Sequence, residues 1–479
     1  MEPSIKKLDY LFAPRSVAVI GASGSFGKWG FGIIHQVLKF KGDFSVYPIN
    51  PKMKEVLGVK AYQNITRVPG DIDFAVIVIP PQNVPAAMAD CASKGVKAVL
   101  VITAGFREIG EEGARLEAEM LQIARQAGIR VAGPNCNGHF NTAINLFTMG
   151  IRGIKPGPLS LISQSGNFGG FIVGQGIERG IGFSKYISSG NEADVTIEDY
   201  IEYLGDDPET KIICAYAEGL KDGRRFFNLA RNITREKPII MMKVGRTEEG
   251  ANAARSHTGS LSGSTVIHDA ALRQAGVIQV YKADEMLDVA SALIRQPLPR
   301  GRRVGIVTGG GGFGVVAADA CRSLGLEIPE LSEETITSLN RWMPSRWSHA
   351  NPVDMAGDSY GSIPTLGTML KSENVDAVLA VSCLGFPAQP PEEFPLEIRE
   401  EFKKYQKQMV EGEVSLMDGL IERMERYNKP LIIAAVSGRD RSKAIAKLEE
   451  NDIYTYRSPE DAASVMAYLA NYADYLSRS

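Results

Sequence analysis

Short apolar runs alternate with polar or amphipathic stretches along the whole chain. Val, Ile and Leu dominate runs such as FAVIVIP, AVLVITAGF and KPIIMMKVG, and the stretches between them have helical character. Short runs of this kind are typical of parallel strands that are covered on both faces. Strands separated by helices over such short distances predict right-handed crossovers and doubly wound parallel sheets. The pattern therefore predicts an α/β protein.

One unit, an apolar run followed by a glycine-rich turn and a helical segment, occurs three times. Its copies are SVAVIGASGSFGKWG at 16–30, LSLISQSGNFGGFIVG at 159–174 and VGIVTGGGGFGVVAADA at 304–320. Parallel sheets bind ligands beyond the carboxyl ends of their strands, where glycine loops that lead into helices offer N–H groups to anions. The three loops therefore predict phosphate-bearing ligands.

Clusters of Pro, Gly and Arg suggest where the domains end. They occur at IRGIKPGP and at RQPLPRGRR, and a chain of 479 residues is long enough for about three domains. We expect three doubly wound α/β domains, at 1–148, 149–297 and 298–479.

Composition and charge exclude several classes of protein. The chain has 53 Lys and Arg against 56 Asp and Glu, a net charge of −3 that argues against a nucleic-acid partner. The N-terminal segment MEPSIKKLDYLFAPRS carries charges where a signal peptide needs an apolar core, and no run approaches the roughly 18 apolar residues of a membrane span. We therefore expect a cytoplasmic protein without membrane contact.

The five cysteines show no CxxC spacing, so the sequence predicts neither a disulfide framework nor a zinc site.

The first glycine loop raises the question of which nucleotide the first domain binds. Gly21 follows the first strand, but the second strand, FSVYPINPK, ends in Asn50 and Lys52 rather than in the acid that an NAD site needs for the ribose hydroxyls. Lys28 adds a second cation. A phosphorylated ribose fits these residues, so both NADP and the 3'-phosphate of coenzyme A remain open.

The later strands of the first domain end at the same rim. Pro80, Thr103 and Asn135 follow the third, fourth and fifth strands. His139 also lies there and fits a local hydrogen bond in the turn better than a proton donor. Cys136 fits a small buried thiol better than an acyl carrier.

The segment RSHTGSL places His257 among small hydroxyl residues and glycine. Glu218 ends the strand of KIICAYAEG about 40 residues earlier. If Glu218 accepts the proton of one ring nitrogen, the other nitrogen is left as a neutral nucleophile that a phosphoryl group can approach. This constellation predicts a phosphorylated histidine, although a structural histidine fits the residue types equally well.

Several motifs in fixed order resemble one family. They are LDYLFAPRSVAVIGAS, GPNCNG, the SQSGN loop, AEGLKDGRRF, KVGRTEEGANAARSHTGSLSG, GGGGFGVVAADAC and NPVDMAG. They are similar to motifs of the ADP-forming acyl-CoA synthetases, the acetate–CoA ligase (ADP-forming) family within the succinyl-CoA synthetase superfamily. The resemblance covers essentially the whole chain and points to the alpha subunit or to the corresponding half of fused forms.

The resemblance implies a Rossmann-like domain that binds coenzyme A, followed by two flavodoxin-like ligase domains. It implies a reversible reaction in which phosphate cleaves an acyl-CoA to an acyl phosphate, and a histidine carries the phosphoryl group to ADP. It assigns the phosphorylated residue to His257 and the glutamate that holds it to Glu218. The residues predicted to bind coenzyme A are Gly21, Ser23, Lys28, Asn50, Lys52, Pro80, Thr103 and Asn135. Those predicted to bind phosphate are Ser163, Gln164, Ser165, Gly166, Gly309, Gly310, Gly311 and Gly312.

The family handles its nucleotide on an ATP-grasp module, for which this sequence has no spare length after NPVDMAG. The resemblance therefore implies a separate ATP-grasp beta subunit, an α2β2 heterotetramer, and ADP or ATP with Mg²⁺ bound on that partner. No carboxylate cluster in the sequence makes a convincing metal site. A loop that contains Gly245, Gly250 and Gly259 would carry the phosphohistidine between the subunits. Two alternatives are a non-catalytic coenzyme A-binding regulatory or scaffold subunit and an NADP-dependent oxidoreductase.

Overall fold

The computed structural model of the chain describes residues 6–40, 42–252, 265–357, 361–385, 394–435, 437–438, 440 and 442–478. The chain divides into two compact units, Met1–Met286 and Leu287–Ser479. The first unit contains two large sheets and the second contains one.

The first sheet is a five-stranded parallel sheet. Its strands are β1 (Ser16–Ile20), β2 (Ser45–Ile49), β5 (Phe74–Ile77), β6 (Ala98–Val101) and β7 (Arg130–Ala132), and a small hairpin is formed by β3 (Glu55–Val56) and β4 (Val59–Lys60). The order across the sheet is β2-β1-β5-β6-β7. The helices of this part are α1 (Asp9–Phe12), α2 (Trp29–Lys39), α3 (Val84–Lys94) and α4 (Glu111–Ala127).

Strand β1 shows why the apolar runs form this sheet. All five of its residues are buried, with Val17 and Val19 in one hydrophobic core and Ala18 and Ile20 in another. Successive side chains of a strand point to opposite faces, so a continuous apolar run fills the cores on both sides of the sheet.

The second sheet has seven strands. They are β8 (His139–Asn141), β9 (Leu146–Phe147), β10 (Pro156–Ser163), β11 (Phe183–Ser188), β12 (Ile212–Ala217), β13 (Ile239–Lys243) and β14 (Ile278–Gln279). Their order is β14-β13-β12-β10-β11-β8-β9. Strand β8 pairs antiparallel with β11 and with β9, and the other pairs are parallel. The helices are α5 (Gly166–Glu178), α6 (Ile197–Asp206), α7 (Gly223–Ile233), α8 (Thr265–Gln274) and α9 (Ala283–Arg295).

The register aligns the carboxyl ends of neighbouring strands. In the first sheet Ile20 lies opposite Ile49 and Ile77, and in the second sheet Ser163 lies opposite Ser188 and Tyr216. The loops that follow these strands therefore begin at a common edge of each sheet, which is where ligands bind in α/β proteins.

The second unit contains a five-stranded parallel sheet. Its strands are β15 (Val304–Thr308), β16 (Val353–Asp354), β17 (Ala377–Val381), β18 (Leu431–Ala434) and β19 (Thr455–Tyr456), in the order β16-β15-β17-β18-β19. The helices are α10 (Gly311–Ser323), α11 (Glu333–Leu339), α12 (Ser362–Lys371), α13 (Arg399–Tyr427), α14 (Lys443–Glu450) and α15 (Pro459–Ser477).

The predicted α/β class with doubly wound, mainly parallel sheets is confirmed. The domain limits 1–148, 149–297 and 298–479 stay a prediction. Among the helices of the described residues, none is long and apolar enough to cross a membrane.

Candidate functional site

The loops after β1 and β2 meet at the carboxyl edge of the first sheet. Gly21 has φ +95, and a Cβ at this position would collide with the carbonyl oxygen of Val78, so only glycine fits. Asn50 donates from Nδ2 to the carbonyl oxygen of Ala22 at 2.8 Å, and its Oδ1 accepts the N–H of Lys52 at 2.8 Å. The Asn50 side chain therefore joins the two loops rather than pointing into solvent.

Both cations predicted to bind coenzyme A are exposed at this edge. Lys28 precedes α2 and Lys52 follows Asn50, and both side chains face solvent. Ser23 is buried, and its Oγ accepts the N–H of Ser25 at 3.1 Å. Exposed cations beside a loop of backbone N–H groups suit a phosphate-bearing ligand.

A cavity of about 510 Å³ lies between the edges of the first and second sheets. One part of its wall is apolar and the other is rich in amides. The lining residues are Trp29, Val78, Ile79, Pro80, Ile102, Thr103, Ala104, Asn135, Cys136, Asn137, Gln164, Ser165, Gly166, Asn167, Gly190 and Asn191.

This cavity brings together two predicted sets of residues. Pro80, Thr103 and Asn135 come from the set predicted for coenzyme A, and Ser165 and Gly166 come from the set predicted for phosphate. Gln164, also from the phosphate set, lines the same space. The remaining predicted coenzyme A residues lie along the first sheet's edge outside the lining.

Helix α5 presents its N-terminus to the cavity. Ser165 caps the helix, because its Oγ accepts the N–H of Phe168 at 3.4 Å. Ser163 donates from Oγ to the carbonyl oxygen of Ser165 at 2.6 Å and holds the loop in place. First-turn N–H groups have no acceptor within a helix, and with the helix dipole they favour an anion.

Glu218 follows β12 and is only 5% exposed. Its N–H donates to Oε1 of Gln164 at 2.5 Å, and its carbonyl oxygen accepts from Nζ of Lys243 at 2.7 Å. Tyr216 donates from its hydroxyl to Oε1 of Glu218 at 3.5 Å. Three neighbouring side chains thus hold the backbone and the carboxylate of Glu218. His257 lies outside the described residues, and the pairing of Glu218 with it stays a prediction.

The third glycine loop belongs to the second unit. Gly309 follows β15 and donates its N–H to the carbonyl oxygen of Val381 at 3.0 Å. Gly310 is the N-cap of α10, and Thr308 donates from Oγ1 to its carbonyl oxygen at 2.8 Å. Gly311 and Gly312 form the first turn of the helix. The predicted strand, loop and helix are present, and phosphate binding at Gly309 to Gly312 stays a prediction.

Two family models match the chain in its first 300 residues. A model described as a CoA binding domain matches residues 15–142, and one described as a succinyl-CoA ligase like flavodoxin domain matches residues 156–293. The alpha subunit of acetate–CoA ligase (ADP-forming) II from Pyrococcus furiosus is 41% identical over 471 residues, which cover 97% of this chain and 98% of that subunit. The chain belongs to the family of ADP-forming acetate–CoA ligase alpha subunits.

Other members of the family differ in how much of them the chain covers. The acetate–CoA ligase (ADP-forming) of Methanocaldococcus jannaschii is 38% identical over 468 residues, which are 98% of this chain but 63% of that protein. A solved structure of dinucleotide-forming acetyl-coenzyme A synthetase 1 from Ca. Korarchaeum cryptofilum, in complex with phosphate and ADP, has a TM-score of 0.86 and 32% identity. That match covers 98% of this chain and 97% of the other. The predicted enzyme class, an ADP-forming acid–thiol ligase, is thereby confirmed.

The sequence patterns did not identify two residues at this cavity in the present chain, Asn191 and Glu108. Asn191 lines the cavity and donates from Nδ2 to Oε2 of Glu108 at 2.6 Å, while its Oδ1 accepts from Nδ2 of Asn135 at 3.3 Å. The other carboxylate oxygen of Glu108 accepts the N–H of Gly105 at 2.6 Å. Burial acts to raise the pKa of Glu108, but the hydrogen bonds from Asn191 and from backbone N–H groups outweigh it and lower the pKa. The hydrogen bond between Asn191 and Glu108 joins a loop of the first sheet to a loop of the second sheet.

Two candidates of the first sheet's rim have structural roles. His139 is fully buried, with Nε2 2.9 Å from the carbonyl oxygen of Leu11 and Nδ1 2.9 Å from Oγ1 of Thr148. The ring is hydrogen-bonded, but it lies in β8 rather than in a turn, and its bond to Leu11 is not local. A carbonyl only accepts, so Nε2 carries the proton. Cys136 is 7% exposed, and burial raises the pKa of its thiol to about 12, so the reactive thiolate is scarce near neutral pH.

Proposed function

We propose that the chain binds an acyl-CoA at the carboxyl edge of its first sheet. We propose further that, with a partner chain, it converts the acyl-CoA, phosphate and ADP reversibly into a carboxylic acid, coenzyme A and ATP. The observation that carries the proposal is the cavity of about 510 Å³, which Pro80, Thr103 and Asn135 line together with Ser165 and Gly166. A thioester and a phosphate ion need such a shared space in order to react. A cytoplasmic location belongs to the same proposal.

Coenzyme A is expected to lie along the edge that Gly21 and Asn50 form. Lys28 and Lys52 are the cations available there for its phosphate groups, and Lys52 is assigned to the 3'-phosphate. The absence of a side chain at Gly21 lets a ligand approach the backbone closely. The apolar part of the cavity wall, with Trp29 and Pro80, suits the arm that carries the thioester.

Phosphate is expected at the N-terminus of α5, where Ser165 and Gly166 line the cavity. A phosphate oxygen attacks the thioester carbonyl carbon, the carbon–sulfur bond breaks, and the proton of the phosphate passes to the departing thiolate. The negative charge on the attacking phosphate is stabilised by first-turn N–H groups and by the helix dipole. The products are an acyl phosphate and coenzyme A.

His257 is proposed to take the phosphoryl group from the acyl phosphate, which releases the carboxylate, and to pass it to ADP. Glu218 would accept a hydrogen bond from one ring nitrogen so that the other is free to attack phosphorus. Buried Glu218 is suited to this role because Gln164, Lys243 and Tyr216 hold it in place. Gly245 has φ +74 and begins the segment that leads to His257.

The nucleotide is proposed to bind on an ATP-grasp beta subunit in an α2β2 assembly. The acetate–CoA ligase of Methanocaldococcus jannaschii supports this proposal, because it is a longer protein of which this chain covers 63%, and the rest of its length is available for such a module. Mg²⁺ would enter with the nucleotide on the partner. No group of three or more His, Cys, Asp or Glu side chains suited to a metal ion occurs among the described residues. The residues of this chain position and neutralise the phosphoryl groups.

The test uses the chain together with its beta subunit, radiolabelled phosphate and acetyl-CoA. We expect an acid-labile label on the alpha chain, because phosphohistidine hydrolyses in acid. His257→Ala should abolish the label and retain coenzyme A binding. A non-catalytic scaffold would bind coenzyme A without labelling the wild-type chain, and an NADP-dependent oxidoreductase would bind NADP in preference to coenzyme A.

A further inference from the structure

The side chain of Gln164 is directed at the turn that carries Glu218. Its Oε1 accepts two backbone N–H groups, from Glu218 at 2.5 Å and from Gly219 at 3.0 Å. Its Nε2 donates to the carbonyl oxygen of Gly219 at 2.8 Å. Because N–H groups only donate and the carbonyl only accepts, these contacts fix which end of the amide is oxygen and which is nitrogen.

The loop after β11, which contains Ser189 and Glu192, reaches the segment of Gln164 through a backbone hydrogen bond of Ser189. Glu192 is fully buried, with φ +53, and its Oε1 accepts from Oγ of Ser189 at 2.7 Å. Burial raises the pKa of Glu192 to about 7, while hydrogen bonds from Ser189 and Gln164 act to lower it. Ser189 in turn donates its N–H to the carbonyl oxygen of Ser163, the residue before Gln164.

These contacts make one side chain the link between two parts of the site. Gln164 lies in the loop that caps α5, where phosphate is expected, and its amide makes three hydrogen bonds to the Glu218–Gly219 turn. With only 7% of the residue exposed, its side-chain amide is committed to the turn rather than open to a ligand. A displacement of the α5 loop would therefore displace Glu218 with it.

We propose that Gln164 is a positioning residue for Glu218 and that its side chain does not bind phosphate. The inference rests on the proposed role of Glu218 as the partner of the phosphorylated His257. Loss of the amide would leave the Glu218 turn without three of its hydrogen bonds and let the carboxylate leave the geometry that phosphoryl transfer needs. The backbone of the α5 loop would remain able to bind phosphate.

The experiment compares three variants in the complex with the beta subunit. Gln164→Met keeps the length of the side chain and removes its hydrogen bonds, whereas Gln164→Glu keeps an acceptor for the two N–H groups and loses the donor. Gln175→Met is the matched control, because Gln175 lies on α5, the helix that follows the Gln164 loop, and bonds only to Glu178 in the contacts found for its side chain in the described structure. Single-turnover labelling with radioactive phosphate and acetyl-CoA gives the rate of His257 phosphorylation and the phosphate concentration at half-maximal rate.

For Gln164→Met we expect the phosphorylation rate to fall by about 10²-fold, the typical effect of a small displacement of a reacting group, with the phosphate dependence unchanged. Gln164→Glu should recover part of the rate, and Gln175→Met should equal the wild type. A wild-type rate in Gln164→Met, or a raised phosphate requirement at an unchanged maximal rate, would overturn the inference.

Two further outcomes distinguish a failure of this inference from a failure of the proposed function. If Gln164→Met fails to fold in thermal unfolding, Gln164→Glu decides: a slower rate at unchanged phosphate dependence supports positioning, and a wild-type rate or a higher phosphate requirement rejects it. If the wild-type complex itself takes no label, the proposed function fails, and with it the phosphoryl transfer that Glu218 would serve.

Discussion

The ammonium group of Lys243 donates a hydrogen bond to the carbonyl oxygen of Glu218 at 2.7 Å. A second bond, at 2.6 Å, reaches the carbonyl oxygen of Val244. Lys243 is 6% exposed, and burial lowers the pKa of its ammonium group although the nearby Glu218 acts to raise it. A buried cation thus fixes the backbone at Glu218 and at the start of the segment that leads to His257.

Lys243→Met should slow phosphorylation of His257 because the carbonyl groups of Glu218 and Val244 lose their donor. Loss of the hydrogen bond to the buried carbonyl of Glu218 also costs about 1–3 kcal/mol of stability. The matched control is Lys237→Met at the other end of β13, since Nζ of Lys237 likewise binds two carbonyl oxygens, those of Leu204 and Asp207. Both variants should be less stable in urea unfolding, but only Lys243→Met should label slowly. Equal labelling of the two would mean that Lys243 serves stability alone.

Glu218→Gln should impair phosphorylation far more than coenzyme A binding. The neutral amide keeps the size of the side chain but cannot hold an imidazole in the required protonation state, so a loss of about 10²-fold in labelling rate is expected. Coenzyme A affinity, measured by calorimetry, should stay within about twofold of the wild-type value. Distant sites in a protein usually act independently of one another to within about that range. Glu209→Gln, at an exposed residue before β12, is the control. Equal effects on labelling and on binding would contradict the assigned role of Glu218.

Lys52→Ala should weaken coenzyme A binding more than dephospho-coenzyme A binding. The side chain is exposed, so loss of its contact with the 3'-phosphate is expected to cost only about fivefold in affinity and to matter less as salt is raised. Lys97→Ala removes an exposed cation before β6, at the opposite end of the sheet, and serves as the control. An unchanged ratio of the two affinities in Lys52→Ala would remove the 3'-phosphate assignment.

His139 should make the protein less stable as the pH falls. Burial lowers the pKa of its ring to about 4, against an ordinary value near 6.5, and the bond to the carbonyl oxygen of Leu11 only partly opposes this. Between these values the unfolded chain takes up a proton that the folded chain does not, so the free energy of unfolding falls with pH by about 3 kcal/mol in total.

The non-titrating variant His139→Gln isolates this contribution. The free energy of unfolding of the wild type, minus that of the variant, should be constant above about pH 6.5 and should decline toward pH 4. Glu192 acts in the opposite direction over much of the same range, because burial raises the pKa of its carboxyl group to about 7. Its effect is present in both proteins and cancels in the difference. A difference that does not change with pH would show that the ring takes up its proton equally readily in the folded and the unfolded chain, and would contradict the lowered pKa.

The sequence predicts the strands well where burial on both faces determines the residue types. The run SVAVI became β1 and VGIVT became β15, each followed by the expected glycine turn and helix. Such runs are informative because a covered parallel strand needs apolar residues at every position. The edge residues Gly21 and Asn50 were predictable for a related reason, because each lies where a recognisable strand ends.

Contacts between distant loops could not be predicted in this way. Asn191 and Glu108 are 83 residues apart, and neither follows a periodic pattern that would place them together. The three-residue strand β8 is too short to have a signal of its own, and its antiparallel pairing depends on a partner more than 40 residues later. The direction of the Gln164 side chain depends on the turn after β12, which the residues around Gln164 do not encode.

The hairpin of β8 and β9 has a practical consequence for anyone who divides this protein. His139 pairs with Ile187 and Asn141 with Lys185, so residues next to the coenzyme-binding part complete the sheet of the following part. A recombinant fragment cut at residue 148 would carry this hairpin away and leave β11 with an open edge, onto which a strand of another molecule could add. A cut before His139 would instead break the hydrogen bonds of His139 and Asn141 to Leu11 and Phe12, so the two parts should be expressed as one fragment.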